Sequence, residues 1–352
     1  MFSSLLQRSK KGEYVGRTIE NMILTGTQES SEDSSFAHQK EANRIKIDGR
    51  ENIYSVAFLA DGKHVLSGDV AGNIRCWRVE DGQEVGAPMD AGSSVLNLAV
   101  SQDKKWVVSG TWSGQVTVWN AESHSKVTEW TAHNDRMRAV DVSPDGTRIA
   151  TGSDDGTLCV WSLLSGQRLL GPLEHDHWVV AVKFSPDGHF VAAATWKRDS
   201  VRVYDSQSGR LLVGDFPVKV YSTLNQSLAW VRDSNQLFVL SGDGKVNCLD
   251  VSTRITVSKW SIHTRDNPMC IAMASNGTFI AISANSSISF WDTATRKKIM
   301  SVIKETHEVW SMAISPNYNL VIGGDKTVTL RGLCDILPSR YFDKVRLREK
   351  TL

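Results

Sequence analysis

His133, Thr151 and Asp155 supply an imidazole, a hydroxyl and a carboxylate within one short stretch of the chain. If the three converge, they are the residue types of a base, a nucleophile and an orienting acid. Nothing else in the sequence joins them in that chemistry. The nine histidines are dispersed, without H-E-x-x-H or comparable spacing. No Gly-rich phosphate loop follows a strand and opens a helix. Cys76, Cys159, Cys248, Cys270 and Cys334 form neither a C-x-x-C pair nor a metal spacing. The sequence therefore predicts no cofactor, no metal site and no enzyme, and the meaning of the His-Thr-Asp set depends on the elements that hold it.

Those elements are repeats. The copy from Ala132 to Trp161 reads AHNDRMRAVDVSPDGTRIATGSDDGTLCVW, and its last position recurs at Trp77, Trp119, Trp161, Tyr204, Leu249, Trp291 and Leu330. Successive spacings are 42, 42, 43, 45, 42 and 39, the period of a β-propeller blade. Within a copy, Ala139-Val140-Asp141-Val142 leads into Ser143-Pro144-Asp145-Gly146, where Pro presets φ and Gly accepts a positive φ. Ser185-Pro186-Asp187-Gly188 repeats that turn unchanged. Asp154-Asp155-Gly156 then joins two apolar runs as a hairpin signal, and a fourth, weaker run follows. Each unit thus predicts one four-stranded antiparallel blade. The fold class is all-β: seven such blades in a ring, closed by an N-terminal strand. Arg44-Ile45-Lys46-Ile47 precedes the first full unit and is predicted to be the outer strand completing the seventh blade, so removing residues 43 to 49 should cost far more than removing residues 1 to 40.

The Ala132-His133 start, the Ser-Pro-Asp-Gly turn and the Trp-Asp ending at Trp291-Asp292 resemble the WD-repeat β-propeller family over roughly residues 43 to 331. The resemblance implies a structural tetrad, mapped onto His133, Thr151, Asp155 and Trp161, in which the indole donates into the set and the carboxylate fixes the imidazole. Only the third copy holds all four. His175 and His307 are read as retained histidines whose hairpins lack the acid, so blades four, five and seven are expected to be looser. The polar stretch Pro217 to Gln226 in the fifth copy is expected to be an irregular loop.

In the same family, one face of the ring collects the loop that begins each blade and the short second hairpin. Trp178 and Trp310 stand three residues after His175 and His307, and Trp112 and Trp196 align with Asp154. These four, with Tyr54, Arg136 and Met137, are the candidate partner-binding residues, because Trp and Arg dominate interface hot spots and apolar surface gathered on one face marks a binding site. The competing reading is that several plug the channel or stack on neighbouring blades. Lys197-Arg198 beside Trp196 would suit an acidic or phosphorylated peptide.

Charge and length bound the rest. The 352 residues carry 40 Lys plus Arg against 39 Asp plus Glu, a net charge of +1 that gives no field favouring nucleic acid or an anionic membrane. No run of eighteen apolar residues predicts a membrane span. Met1 to Arg17 has Arg8, Lys10 and Lys11 but no long apolar stretch, which argues against a secretory signal. Residues 1–42, with the acidic serine tract Gln28 to Ser35, are expected to form a disordered arm. Residues 43–332 form the propeller, and residues 333–352 a basic tail whose Ile336 to Phe342 pack on the ring. Cysteines just before the blade ends suit small strand hydrophobes in a reducing compartment. The implied function is a non-catalytic intracellular scaffold, cytoplasmic or nuclear, a monomeric ring binding protein or peptide partners on its loop-rich face within a larger complex. The alternatives are a substrate-recruiting subunit of a ubiquitin-ligase or signalling complex, for which the Trp-Asp-x-Arg ending is absent, and a propeller enzyme or small-ligand binder using the central channel.

Overall fold

Why each unit becomes a blade is visible in the third. Its strands Met137–Val142, Arg148–Ser153, Thr157–Ser162 and Arg168–Glu174 are joined by turns whose chemistry is local. In the first turn Gly146 takes φ +70°, the Gly146 N–H donates to the Ser143 carbonyl at 2.8 Å, and the Asp145 carboxylate accepts the Thr147 N–H at 3.0 Å. This turn chemistry fixes the hairpin register. The first three strands alternate or run continuously apolar and are buried, whereas the fourth is mostly exposed.

The computed structural model describes residues 44–342 except 197–200, 217, 219–226, 263–267 and 301. The expected loop from Pro217 to Gln226, apart from Val218, lies outside the described residues, as do Lys197-Arg198-Asp199, residues 1–42 and residues 343–352. The described chain forms seven four-stranded antiparallel sheets. Six consist of strands consecutive in sequence. In the seventh, Val309–Ile314, Asn319–Gly324 and Thr327–Gly332 take Arg44–Asp48 as their outer strand, with Arg44 opposite Arg331 and Asp48 opposite Thr327. The ring is thus closed by joining the two ends of the chain's repeat region, which removes the open sheet edge that a linear array would leave.

Neighbouring blades are stitched at the inner strands by side chains that accept backbone N–H groups. Ser311 Oγ accepts from Val56 N at 3.0 Å, Ser55 Oγ from Leu98 N at 3.0 Å, Asn97 Oδ1 from Val140 N at 2.8 Å, and Asp141 Oδ2 from Phe184 N at 2.9 Å. Small buried polar residues in apolar strands are tolerated here because each meets a donor. Apolar side chains from adjacent blades fill the seams, as where Val108, Val116 and Val118 of blade two meet Met137, Val140 and Ile149 of blade three.

The strand register corrects two sequence alignments in the seventh blade. Trp161 lies opposite Ile149 in blade three, and the equivalent position opposite Leu320 is Arg331, not Leu330. His133 stands four residues before the inner strand that begins at Met137, and four residues before Val309 is Glu305, not His307. An ion pair has taken the place of the His and the Trp. Glu305, with its side chain fully buried, accepts from Arg331 Nε at 2.8 Å through one oxygen and from Arg44 Nη2 at 2.8 Å through the other. His307 and Leu330 are the nearest His and the nearest large aliphatic residue to these two positions, which is why the aromatic repeat pattern falls on them.

After the last strand, the segment from Leu333 to Phe342 turns back onto blades six and seven. Leu337, Tyr341 and Phe342 are buried among Phe279, Phe290 and Tyr318. The Tyr341 carbonyl accepts from Asn276 Nδ2 at 2.9 Å and Thr278 Oγ1 at 3.0 Å, and its hydroxyl donates to Asp292 at 3.0 Å.

Candidate functional site

The His-Thr-Asp set does converge, inside blade three. His133 Nδ1 lies 2.9 Å from Asp155 Oδ2, His133 Nε2 lies 2.7 Å from Thr151 Oγ1, and the Trp161 indole N–H donates to Thr151 Oγ1 at 2.8 Å. The network assigns the proton positions. An ionised Asp155 accepts from Nδ1–H, so Nε2 accepts from the Thr151 hydroxyl, whose oxygen takes the indole hydrogen. Burial raises the Asp155 carboxyl, but the hydrogen bond from His133, the charge His133 carries when protonated, and the Thr157 hydroxyl and amide outweigh it and bring it down to about 2. Thr151 is fully buried and His133 nearly so. No substrate carbonyl can reach a hydroxyl committed at both ends within a packed blade, so the geometry holds a fold rather than performing acyl transfer.

Removing one member leaves its neighbours with unmet hydrogen bonds. Asp155→Ala is expected to cost about 1–3 kcal/mol, read as a lower denaturation midpoint. Because the folded Asp155 pKa is depressed, its stabilisation is complete above the ordinary carboxyl range near 4 and fades as pH falls toward 2. Asp155→Asn should therefore flatten the acid limb of the stability profile between pH 4 and 2. An unchanged midpoint and profile would contradict the tetrad's structural role.

The second constellation lies where inner strands begin. In six blades the inner strand opens with a register irregularity, between Ile53 and Ser55, Val95 and Asn97, Met137 and Ala139, Val179 and Ala181, Pro268 and Cys270, and Val309 and Ser311. A bulge frees its extra residue from the ladder and re-aims its side chain. Tyr54, Arg138 and Trp310 are such residues. Tyr54 and Trp310 meet with ring centroids 5.6 Å apart, and the Trp310 indole donates to Glu308 at 3.2 Å. The short second hairpin is tied to the same loops by one recurring bond, from Trp112 N to Ser94 O, from Asp154 N to Arg136 O and from Trp196 N to Trp178 O.

Across blades two to four these residues form one strip. The Arg136 guanidinium lies 3.6 Å from the centroid of the Trp112 ring, and Trp112 is 44% exposed. Arg138 forks onto Asp154 at 2.8 and 2.9 Å and stands 5.5 Å from the Trp178 ring. Trp178 and Trp196 stack face to face at 4.5 Å with 5° between planes, and His177 meets both edge-on. These two indoles also pack against the apolar seam of blades four and five, so they are half-buried rather than free. Trp310 and Tyr54 stand on blades seven and one and form a separate pair.

Met137 is a correction. It is fully buried between blades two and three, packed against Val108 and Val116 with Gly110 leaving room for its sulfur, and it offers nothing to a partner. It begins the inner strand, and Ile53, Val95, Val179 and Val309 at the same position are buried as well. Arg138, Asp154 and His177 carry no local sequence signature, since a bulge that re-aims the second residue of a strand is visible only in the strand pairing. The central channel, about 390 Å³, is lined mainly by Val56, Leu98, Val140, Val182, Ala229 and Met312, and its Lys183 and Asp141 pair at 2.6 Å. Among the described residues, no three metal-ligating side chains converge.

A closed ring of seven four-stranded blades with a buried His-Thr-Asp-Trp network defines a β-propeller built from sequence repeats. The profile of the WD domain, G-beta repeat family matches residues 43–78, 88–120, 124–162, 167–205 and 297–330, more than half of the chain. The chain belongs to that family. Comparison with curated proteins gives no match. The matched stretches bypass blade five, which ends at Leu249-Asp250 without an aromatic, and most of blade six, although that blade ends in Trp291-Asp292.

Proposed function

We propose that this protein is a non-catalytic scaffold that holds protein or peptide partners on the loop face of its ring. One observation carries the reading: Trp112, Arg136, Arg138, Trp178 and Trp196 form a continuous aromatic and cationic strip across three adjacent blades. Large amphipathic rings held by rigid strands lose little freedom on binding, which is why they dominate interface energies. The His133 network supports the same reading, because its titratable groups are consumed in holding a blade. The free cysteines fit an intracellular, reducing setting: Cys76 and Cys270 are buried, and burial pushes their thiols up to about 11 and about 12, far from a reactive thiolate.

The test is comparative affinity capture with the intact chain, Trp112→Ala, and the fourfold Trp112/Trp178/Trp196/Trp310→Ala variant. Specific partners are expected to fall at least tenfold with the fourfold variant and severalfold with Trp112→Ala, while both variants still melt cooperatively. Identical partner sets for all three chains would sink the proposal.

A further inference from the structure

We infer that the Trp112–Arg136 pair reads an anionic side chain, carboxylate or phosphate, in an extended segment of the partner, beside an apolar side chain held at Trp178. This deepens the docking-face reading above and rests on it. The reason lies in which charges on the strip are already answered. Arg138 is committed to both oxygens of Asp154, and the Asp135 carboxylate accepts the Arg136 backbone N–H at 2.8 Å. Among the described residues, no carboxylate lies within ion-pair distance of the Arg136 guanidinium, which lies 3.6 Å from the centroid of the Trp112 ring.

An indole lying against a guanidinium covers one face and leaves the N–H edge in solvent. That edge presents paired donors in a fork that matches a carboxylate or phosphate. Stacking also preorganises the side chain, so less rotamer freedom is lost when the anion arrives. A lysine would keep the charge and lose both the fork and the stack. The Arg138–Asp154 pair sits between this cation and the Trp178–Trp196 stack and is neutral as a unit, so the strip reads in order as cation, neutral pair and aromatic wall. An anionic residue followed by an apolar one in an extended partner matches that order.

The probe is a set of degenerate ten-residue peptide pools, each with one fixed central residue, Glu, phosphoserine, Ala or Lys, bound to the full chain and to Arg136→Gln, Arg136→Lys, Trp112→Ala and Trp178→Ala. The full chain is expected to retain Glu or phosphoserine pools at least fivefold over Ala pools, with Lys pools lowest. The preference should shrink to within twofold in Arg136→Gln and fall at least threefold in Arg136→Lys, with melting unchanged. Whichever of the Glu and phosphoserine pools is retained more strongly names the source of the anion. A preference that survives Arg136→Gln, or Ala pools bound as well as Glu and phosphoserine pools, overturns the inference. If that happens while retention still falls in Trp178→Ala, the docking face stands without an anion reader, and if no pool is retained above background both readings fail.

Discussion

Glu305→Ala is expected to destabilise the protein by about 3–5 kcal/mol, the range for removing one partner of a buried ion pair. The carboxylate is fully buried and accepts from two arginines that arrive from opposite ends of the repeat region, Arg331 in the last strand and Arg44 in the closing strand. Its loss takes the 2.8 Å carboxylate partner from the nearly buried Arg331 guanidinium, and it loosens the closing strand. For a ring of this size the cost corresponds to a fall in Tm of about 10 °C. The cause can be separated from simple loss of packing. If the stranded charge is what matters, Glu305→Ala/Arg331→Leu should recover part of the loss, because the double variant buries one uncompensated charge fewer. A double variant less stable than the sum of the two single variants would assign the effect to packing instead.

That ion pair also marks where the sequence could be read and where it could not. The repeat period, the Ser-Pro-Asp-Gly turns and the hairpin glycines are local features, written in consecutive residues, and they specify blades wherever they occur. The closing strand was readable for a related reason: Arg44-Ile45-Lys46-Ile47 keeps the phase of an outer strand although it precedes the first blade. Blade seven was misread because its chemistry changed while its geometry did not. Glu305 and Arg331 stand where blade three has His133 and Trp161, and a search for residue types lands on His307 and Leu330. Counting back four residues from the first buried position of the inner strand, Val309, reaches Glu305 without reference to type.

On the candidate binding face, Trp112, Trp178, Trp196 and Arg136 could be picked out because the repeat pattern does not require them. Arg138 could not, since its position is interpretable only once a bulge is seen to lift it from the ladder. Met137 was misplaced for the complementary reason. An apolar residue at the edge of a loop has the same composition whether it opens a strand into the core or faces solvent, and here the strand opens at Met137 itself, one residue before the bulged Arg138.

Deleting residues 43–49 should do more damage than any single substitution. The segment Arg44–Asp48 pairs over five residues with Thr327 to Arg331, buries Ile47 with Val328 and Leu330, and places Ile45 against the same cluster. Gly49 continues the pairing by donating its N–H to the Lys326 carbonyl at 2.6 Å. Loss of the Glu305 pairing contributes about 3–5 kcal/mol, buried Ile47 about 1.5–3 kcal/mol, and half-buried Ile45 a fraction of that. Together these approach the whole margin of about 5–15 kcal/mol by which a native domain is stable. The remaining outer strand, Thr-Val-Thr-Leu-Arg-Gly, would then present an unpaired, β-branched edge, which templates intermolecular pairing. The truncated chain is expected to lose its cooperative melt and to aggregate, and a synthetic peptide of residues 40–50 supplied in excess should restore part of both by occupying the vacant edge. A truncated chain that melts as the intact one does would show that the ring holds through its inner strands alone, with the closing strand an ornament on blade seven. Glu305→Ala should fall between the two, since it loosens the same junction while leaving the backbone pairing in place.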